Sequence, residues 1–405
     1  VLPWVAALGS TLLMQSVASF LTQSVPVIAP LVTARAGLAP EAVGNLSALI
    51  AAGTALFLLL GGPLLTRLGP VRTLQWGAVV SAAAMLLLGV GSTPALVAAS
   101  LLLGIGYGPS PPAGSRILAA TAPPQHRTLI FSVKQAGAPL GGALAGLVTA
   151  PAVNAFGWVA GILVTVAVAL LAALVIQPLK ESLDAERDPR QPIGLGAILH
   201  RKTWAAPVAA LRLHPSLPPL TALAMSFAAV QGCLFTFSVT WLNLSHGLTL
   251  VQAGTAFASM QAAGVFARLL LGWLADRTGR PVRNLLIQAL AAAAVTLGFA
   301  WMPAGTPVLA INLLAGATGF LAASWNGIYL SEVARLVPPA QVASATAGST
   351  LFTFLGYLVA PAGFTLLVAL SGSWVLPLTL VAAQLALVSL LVSALLRSRP
   401  AGNPA

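Results

Sequence analysis

About twelve apolar runs, each near the length that crosses a lipid bilayer, follow one another along the chain from Leu2–Leu31 to Trp374–Leu396. The hydrocarbon core of a bilayer takes about 20 apolar residues as a helix. Every backbone N–H and C=O inside it must be paired within the protein, which leaves only helices and closed barrels. Runs of this length predict helices. Gly, Pro and Ser mark the turns between them, as in Gly91-Ser92-Thr93-Pro94 and Pro303-Ala304-Gly305-Thr306. The expected fold class is an all-α membrane protein. Composition agrees: 58% of residues are hydrophobic and 6% charged, against about a quarter charged in soluble domains.

The net charge of +12 is no nucleic-acid footprint, because the bases are scattered through apolar sequence instead of forming a patch. They fall in alternate connections. With the N-terminus inside, Arg67, Arg72, Arg127, Lys180, Arg277, Arg280, Arg283, Arg335 and Arg397 all lie in cytoplasmic segments, and Arg35 alone lies in an outer loop. Lys and Arg concentrate on the cytoplasmic side, so both termini are expected in the cytoplasm, with the chain in a bacterial-type inner membrane. One long polar stretch divides the runs six and six: residues 1–179, a linker over 180–218, and residues 219–405. Around Ile193–Leu211 a short helix lying on the membrane surface is expected. No cleavable signal peptide is expected, because the first run is too long for one. The lone Cys233 and four scattered His give neither a disulfide framework nor a metal-ligand spacing, and no cofactor or metal is expected.

Gly272-Trp273-Leu274-Ala275-Asp276-Arg277-Thr278-Gly279-Arg280 has a degenerate copy about 210 positions earlier, Gly62-Pro63-Leu64-Leu65-Thr66-Arg67-Leu68-Gly69. Each copy lies between two apolar runs and is expected to form a tight, charged loop. Repetition at half the chain length points to two similar halves, an arrangement that secondary transporters use to expose a central site alternately to either side. The pattern G-x-L-A-D-R-x-G-R resembles the loop after the second and eighth helices of the major facilitator superfamily. That resemblance implies two pseudo-symmetric six-helix bundles, a monomer, and a latch of Asp276 with Arg277 and Arg280, framed by Gly272 and Gly279, holding one half to the other. In the upstream copy Thr66 stands where the acid should be, beside Arg67, and Pro70 stands where a base is expected. The upstream latch should therefore be the weaker one.

Within the apolar runs remain three bases and one acid: Arg116, Lys134, Arg268 and Glu332. Ionisable groups in hydrocarbon need a partner or a wet cavity, and one carboxylate cannot neutralise three cations. Arg268 lies eight residues before Asp276, and its guanidinium offers a rigid fork that matches planar anions. It is similar to the eighth-helix arginine with which oxalate and monocarboxylate carriers of the superfamily hold substrate. Those carriers imply an eleventh-helix lysine that this chain lacks. Lys134, in the fifth helix, is expected to face Arg268 across the two halves. Arg116 is expected to pack against cytoplasmic loops. Glu332 is expected to pair with arginines of the Asp276 loop. In the superfamily the first, fourth, seventh and tenth helices line the pathway, which adds Gln15 and Gln23 (on one face with Ser19), Gln231, Trp325 and Asn326 as candidate substrate contacts.

The expected function is secondary active transport of a small anionic solute by alternating access, with proton or ion coupling compatible with the sequence. Efflux of a neutral or amphipathic compound by the same fold is the alternative. It is disfavoured because Gly137-Ala138-Pro139-Leu140-Gly141-Gly142 departs from the G-P-x-x-G-G pattern of drug antiporters and the first and fourth helices carry no acid. A polytopic membrane enzyme is a more distant alternative, since no catalytic carboxylate pair or nucleophile–base spacing is present.

Overall fold

A computed structural model describes residues 3–123, 127–193, 201–338 and 341–397. The first half contains α1 (Pro3–Val27), α2 (Val43–Leu60) and α3 (Pro70–Gly89), then α4 in two segments, Thr93–Tyr107 and Ser110–Thr121. The fifth helix, α5, begins as Arg127–Gln135 and Gly137–Leu144 and continues through one π-helical turn at Ala145–Thr149. The next helical stretch, Ala150–Val175, turns back on itself at Gly157, whose φ of 82° no side-chain-bearing residue adopts easily. Here α5 ends and α6 (158–175) begins. The second half contains α7 (Leu217–His246), α8 (Leu250–Thr278), α9 (Pro281–Ala300), α10 in two segments (Val308–Ala322 and Asn326–Arg335), α11 (Val342–Ser371) and α12 (Val375–Arg397).

These helices form because long apolar runs leave their amides no alternative partner in a bilayer. Ten stretches among the described residues are long and apolar enough to cross a membrane. One of them, Val133–Leu183, holds most of α5 and all of α6, and α4, divided at Gly108-Pro109, is not among the ten. Large apolar side chains point outward along the helices, among them Val159, Leu171, Leu174 and Leu313, each more than 60% exposed. A soluble protein does not present such a surface; it suits contact with acyl chains.

The repeated segments are not the compact loops expected. Gly62–Leu68 is a short helix, and Gly272–Thr278 is simply the last two turns of α8. The left-handed residue that ends each copy is a glycine, Gly69 (φ 87°) and Gly279 (φ 62°). Leu64, Leu65 and the Leu274-Ala275 pair favour helix, so the chain stays helical until the first residue that can take a left-handed conformation.

The polar stretch after α6 does not hang free. Asp184 is 2% exposed, and its carboxylate accepts hydrogen bonds from the amides of Val71 (2.7 Å) and Arg72 (3.2 Å) at the start of α3. Arg72 Nη1 lies 3.6 Å from the same carboxylate. Pro70 opens α3, and no side chain at its own N-cap supplies an acceptor, so Asp184 does that work from 112 residues away. Burial pushes the Asp184 carboxyl above its usual range, and the two amides and Arg72 pull it back. Asp188 donates its amide to the Thr66 carbonyl, and Arg116 donates to the Glu186 carbonyl. Of the surface helix expected around Ile193–Leu211, residues 194–200 lie outside the described residues. Arg201–Leu211 is helical, but it packs against α11, where Ala210 is buried next to Gly348.

Candidate functional site

The halves touch most extensively where α2 meets α11 and where α5 meets α8. Where α2 meets α11, Gly44 lies so close to Thr365, Phe237 and the Pro361 carbonyl that a methyl group there would clash with them. Thr365 Oγ1 donates to the Glu41 carbonyl at 2.7 Å. Behind this contact Phe237 stacks on Phe364 with ring centres 4.0 Å apart. Where α5 meets α8, Gly146 and Gly254 bring the two backbones together. This seal lies at the face that carries Arg35 and Glu41. Toward the opposite, base-rich face the halves separate around a cavity of about 890 Å³.

Every candidate substrate contact from the sequence borders this cavity: Gln15, Gln23, Lys134, Gln231, Arg268, Trp325 and Asn326. Lys134 is 1% exposed, and among the described residues its ammonium donates to the Pro111 carbonyl, at 3.4 Å. Arg268 donates through Nε and Nη2 to the Ala323 carbonyl (3.3 and 3.2 Å) and through Nη1 to the Gln135 carbonyl (2.6 Å). Ala323 lies in the gap between the two segments of α10, so its carbonyl has left the helical ladder. Neither cation has a carboxylate partner. The chain holds seven acids, all among the described residues, and the two ion pairs found there are Arg72–Asp184 and Arg335–Glu332.

The neutral lining is ordered as two small networks. In the first half Gln15 donates to the Tyr107 hydroxyl (3.1 Å) and accepts from Ser110 (3.0 Å). In the second half Gln231 Oε1 accepts from Trp325 Nε1 (3.0 Å) and from the Tyr357 hydroxyl (2.9 Å). The carbonyl oxygens of Asn326 and Gln261 are buried there without a partner. Tyr107, Tyr357 and Gln261 were not among the sequence candidates. A signal was available: the chain has only three Tyr, and all of them, Tyr329 included, border the cavity.

The expected latch residues are placed differently. Asp276 is exposed and is in neither ion pair, Arg277 stacks over Trp273 at 5.3 Å, and open space surrounds Gly272. A latch that closes the base-rich face cannot be engaged while that face is open. Glu332 does not reach the Asp276 loop. It is 2% exposed and pairs with Arg335, three residues on along the same helix, at 2.6 and 2.8 Å. The turn of helix between them is the shorter reach. Thr66 donates to the Gly62 carbonyl within its own helix.

Two six-helix halves stand around a central cavity that is open at one face and sealed at the other, which defines a polytopic helical membrane protein built as two bundles. The Major Facilitator Superfamily profile matches residues 11–347, and the chain belongs to that family. It is 29% identical over 186 residues to an uncharacterized MFS-type transporter of Mycobacterium tuberculosis, which covers 44% of this chain and 38% of the relative. It is 32% identical over 148 residues to a protein of the same organism named "Probable nitrate/nitrite transporter NarK2", 34% of each chain. The matched stretches thus span little over a third of these relatives. Among solved structures, a POT family transporter with a thioalcohol-conjugated peptide superposes with a TM-score of 0.77 at 12% identity, covering 96% of both chains. A bacterial homolog of the human lysosomal transporter Spinster gives 0.73 at 15% identity, over 97% of this chain and 96% of the other. At such identities the likeness establishes the fold.

Proposed function

We propose that the protein is a secondary carrier of a small anionic solute, bound between the two halves and exposed alternately to either side of a bacterial inner membrane. The base-rich face is the cytoplasmic one, both termini lie there, and the cavity is the inward-open form of the site. One observation carries this reading: Lys134 and Arg268 border the cavity, and none of the seven carboxylates of the chain pairs with either. An uncompensated cation held out of bulk water, as Lys134 is, is costly, and an anion bound beside it and Arg268 supplies the missing charge. The resemblance to a relative named for nitrate and nitrite transport points the same way. Residues 1–179 and 219–405 are the two moving bodies, joined through 180–218.

The rings of Trp325, Tyr357, Phe235 and Phe354 along the wall favour a second reading, a neutral or amphipathic solute. A thermal-shift panel of small carboxylates, inorganic anions, uncharged amphipathic compounds and cationic drugs separates the two, since a bound ligand raises apparent stability. The anion reading expects stabilisation by anions that disappears in Lys134→Gln. Stabilisation by neutral or cationic compounds alone would sink it.

A further inference from the structure

Among the contacts of Arg268, one crosses between the halves. Nε and Nη2 bond Ala323, which belongs to the same half as Arg268, whereas Nη1 bonds Gln135 on α5 of the other half at 2.6 Å. The Gln135 carbonyl is open to that bond for a covalent reason. In a helix it would accept from the amide four residues on, and that residue is Pro139, which has no N–H. The helix is interrupted at Ala136 between Gln135 and Gly137, and Pro139 is buried against the cavity. With no amide to accept from, the carbonyl accepts instead from the guanidinium.

We propose that this bond is a tie released by substrate: the anion takes Nη1 from Gln135, and Pro139 is the positioning residue that keeps the carbonyl available to reclaim it. The proposal rests on the anion reading above. A guanidinium has five N–H donors in a fixed fork, and two of its nitrogens are already engaged by Ala323. An acceptor entering from the cavity competes for Nη1 while Arg268 stays anchored to its own half. Binding then removes a charge-assisted hydrogen bond between α5 and α8, and release of the anion restores it. The empty carrier is held across its halves and the loaded one is free to rearrange.

Restoring the missing amide tests the tie. In Pro139→Ala the amide at position 139 pairs with the Gln135 carbonyl, and Arg268 loses its competitor. Calorimetric titration with sodium nitrate, sodium oxalate and sodium lactate is expected to show the best-bound of the three gripping Pro139→Ala about tenfold more tightly than wild type, the scale of one charge-assisted hydrogen bond. Lys134→Gln should bind it more weakly. Weaker binding in Lys134→Gln together with unchanged or weakened binding in Pro139→Ala overturns the tie and leaves the anion reading standing. No effect of Lys134→Gln, or no binding of any of the three anions, overturns the anion reading and the tie with it. Pro139→Gly restores the same amide if the alanine variant does not fold. Wild type supplies an independent readout: with backbone 13C-labelled glutamine, the anion-induced infrared difference should show one labelled carbonyl moving to higher wavenumber as it loses its charged donor. The absence of that band with the site saturated also overturns the tie.

Discussion

Arg268 and Lys134 carry the argument at the scale of single residues, and they do so differently. Arg268 uses the width of its guanidinium to reach Ala323 and Gln135 together, which a lysine ammonium, a single compact donor, cannot do. Arg268→Lys keeps the charge and is expected to lower transport by roughly tenfold or more, as the loss of a bidentate contact implies. Initial rates in proteoliposomes check this, and near wild-type rates would show that charge alone suffices. Lys134→Gln should purify with unchanged helix content, since removing a buried charge also removes its desolvation cost. Both residues were visible in the sequence as bases that the available acids could not neutralise. Their present partners were not, because those are backbone carbonyls at positions where α5 and α10 leave the helical ladder, and a residue string does not show which carbonyls are idle.

At the scale of elements, the repeat was legible and its conformation was not. The glycines that end each copy could be read, but the propensity of the residues between them carries the helix through the motif. The cap on α3 was equally hidden, because Asp184 reaches it from beyond α6 and no spacing rule links them. Asp184→Ala should remove the acceptor for two first-turn amides and cost about 1–2 kcal/mol at that helix end. Faster hydrogen exchange at Val71 and Arg72 would show it, and unchanged protection would mean that water replaces the carboxylate without loss. The α2–α11 seal gives a second prediction. A side chain at Gly44 would meet Phe237 and the Pro361 carbonyl at less than contact distance. Gly44→Val is therefore expected to pry the sealed face open and shift the protein toward the opposite state. A cysteine at Ser47, on the cavity wall, should then become reactive to an impermeant maleimide added from the Arg35 face. Continued protection would mean that the seal yields without opening.

For the whole molecule, the two-half architecture follows from physics that a sequence displays openly: run length, turn residues and the sidedness of Lys and Arg. What the sequence left open is which face is closed, since on the proposed mechanism both states of the carrier are built from the same residues. The orientation is tested by labelling cysteines at Ser182 and Ser371 in a background lacking Cys233. Ser182 should react only from the cytoplasm and Ser371 only from outside, and the reverse pattern would invert the membrane assignment. The central claim is that the cavity carries an anion because Lys134 and Arg268 have no acid to pair with. It is tested most directly by counterflow into proteoliposomes preloaded with whichever solute stabilises the protein. The account predicts transient, saturable accumulation of a labelled anion, abolished in Lys134→Gln and in Arg268→Lys. Counterflow of a neutral or cationic solute, undiminished in both variants, would contradict it.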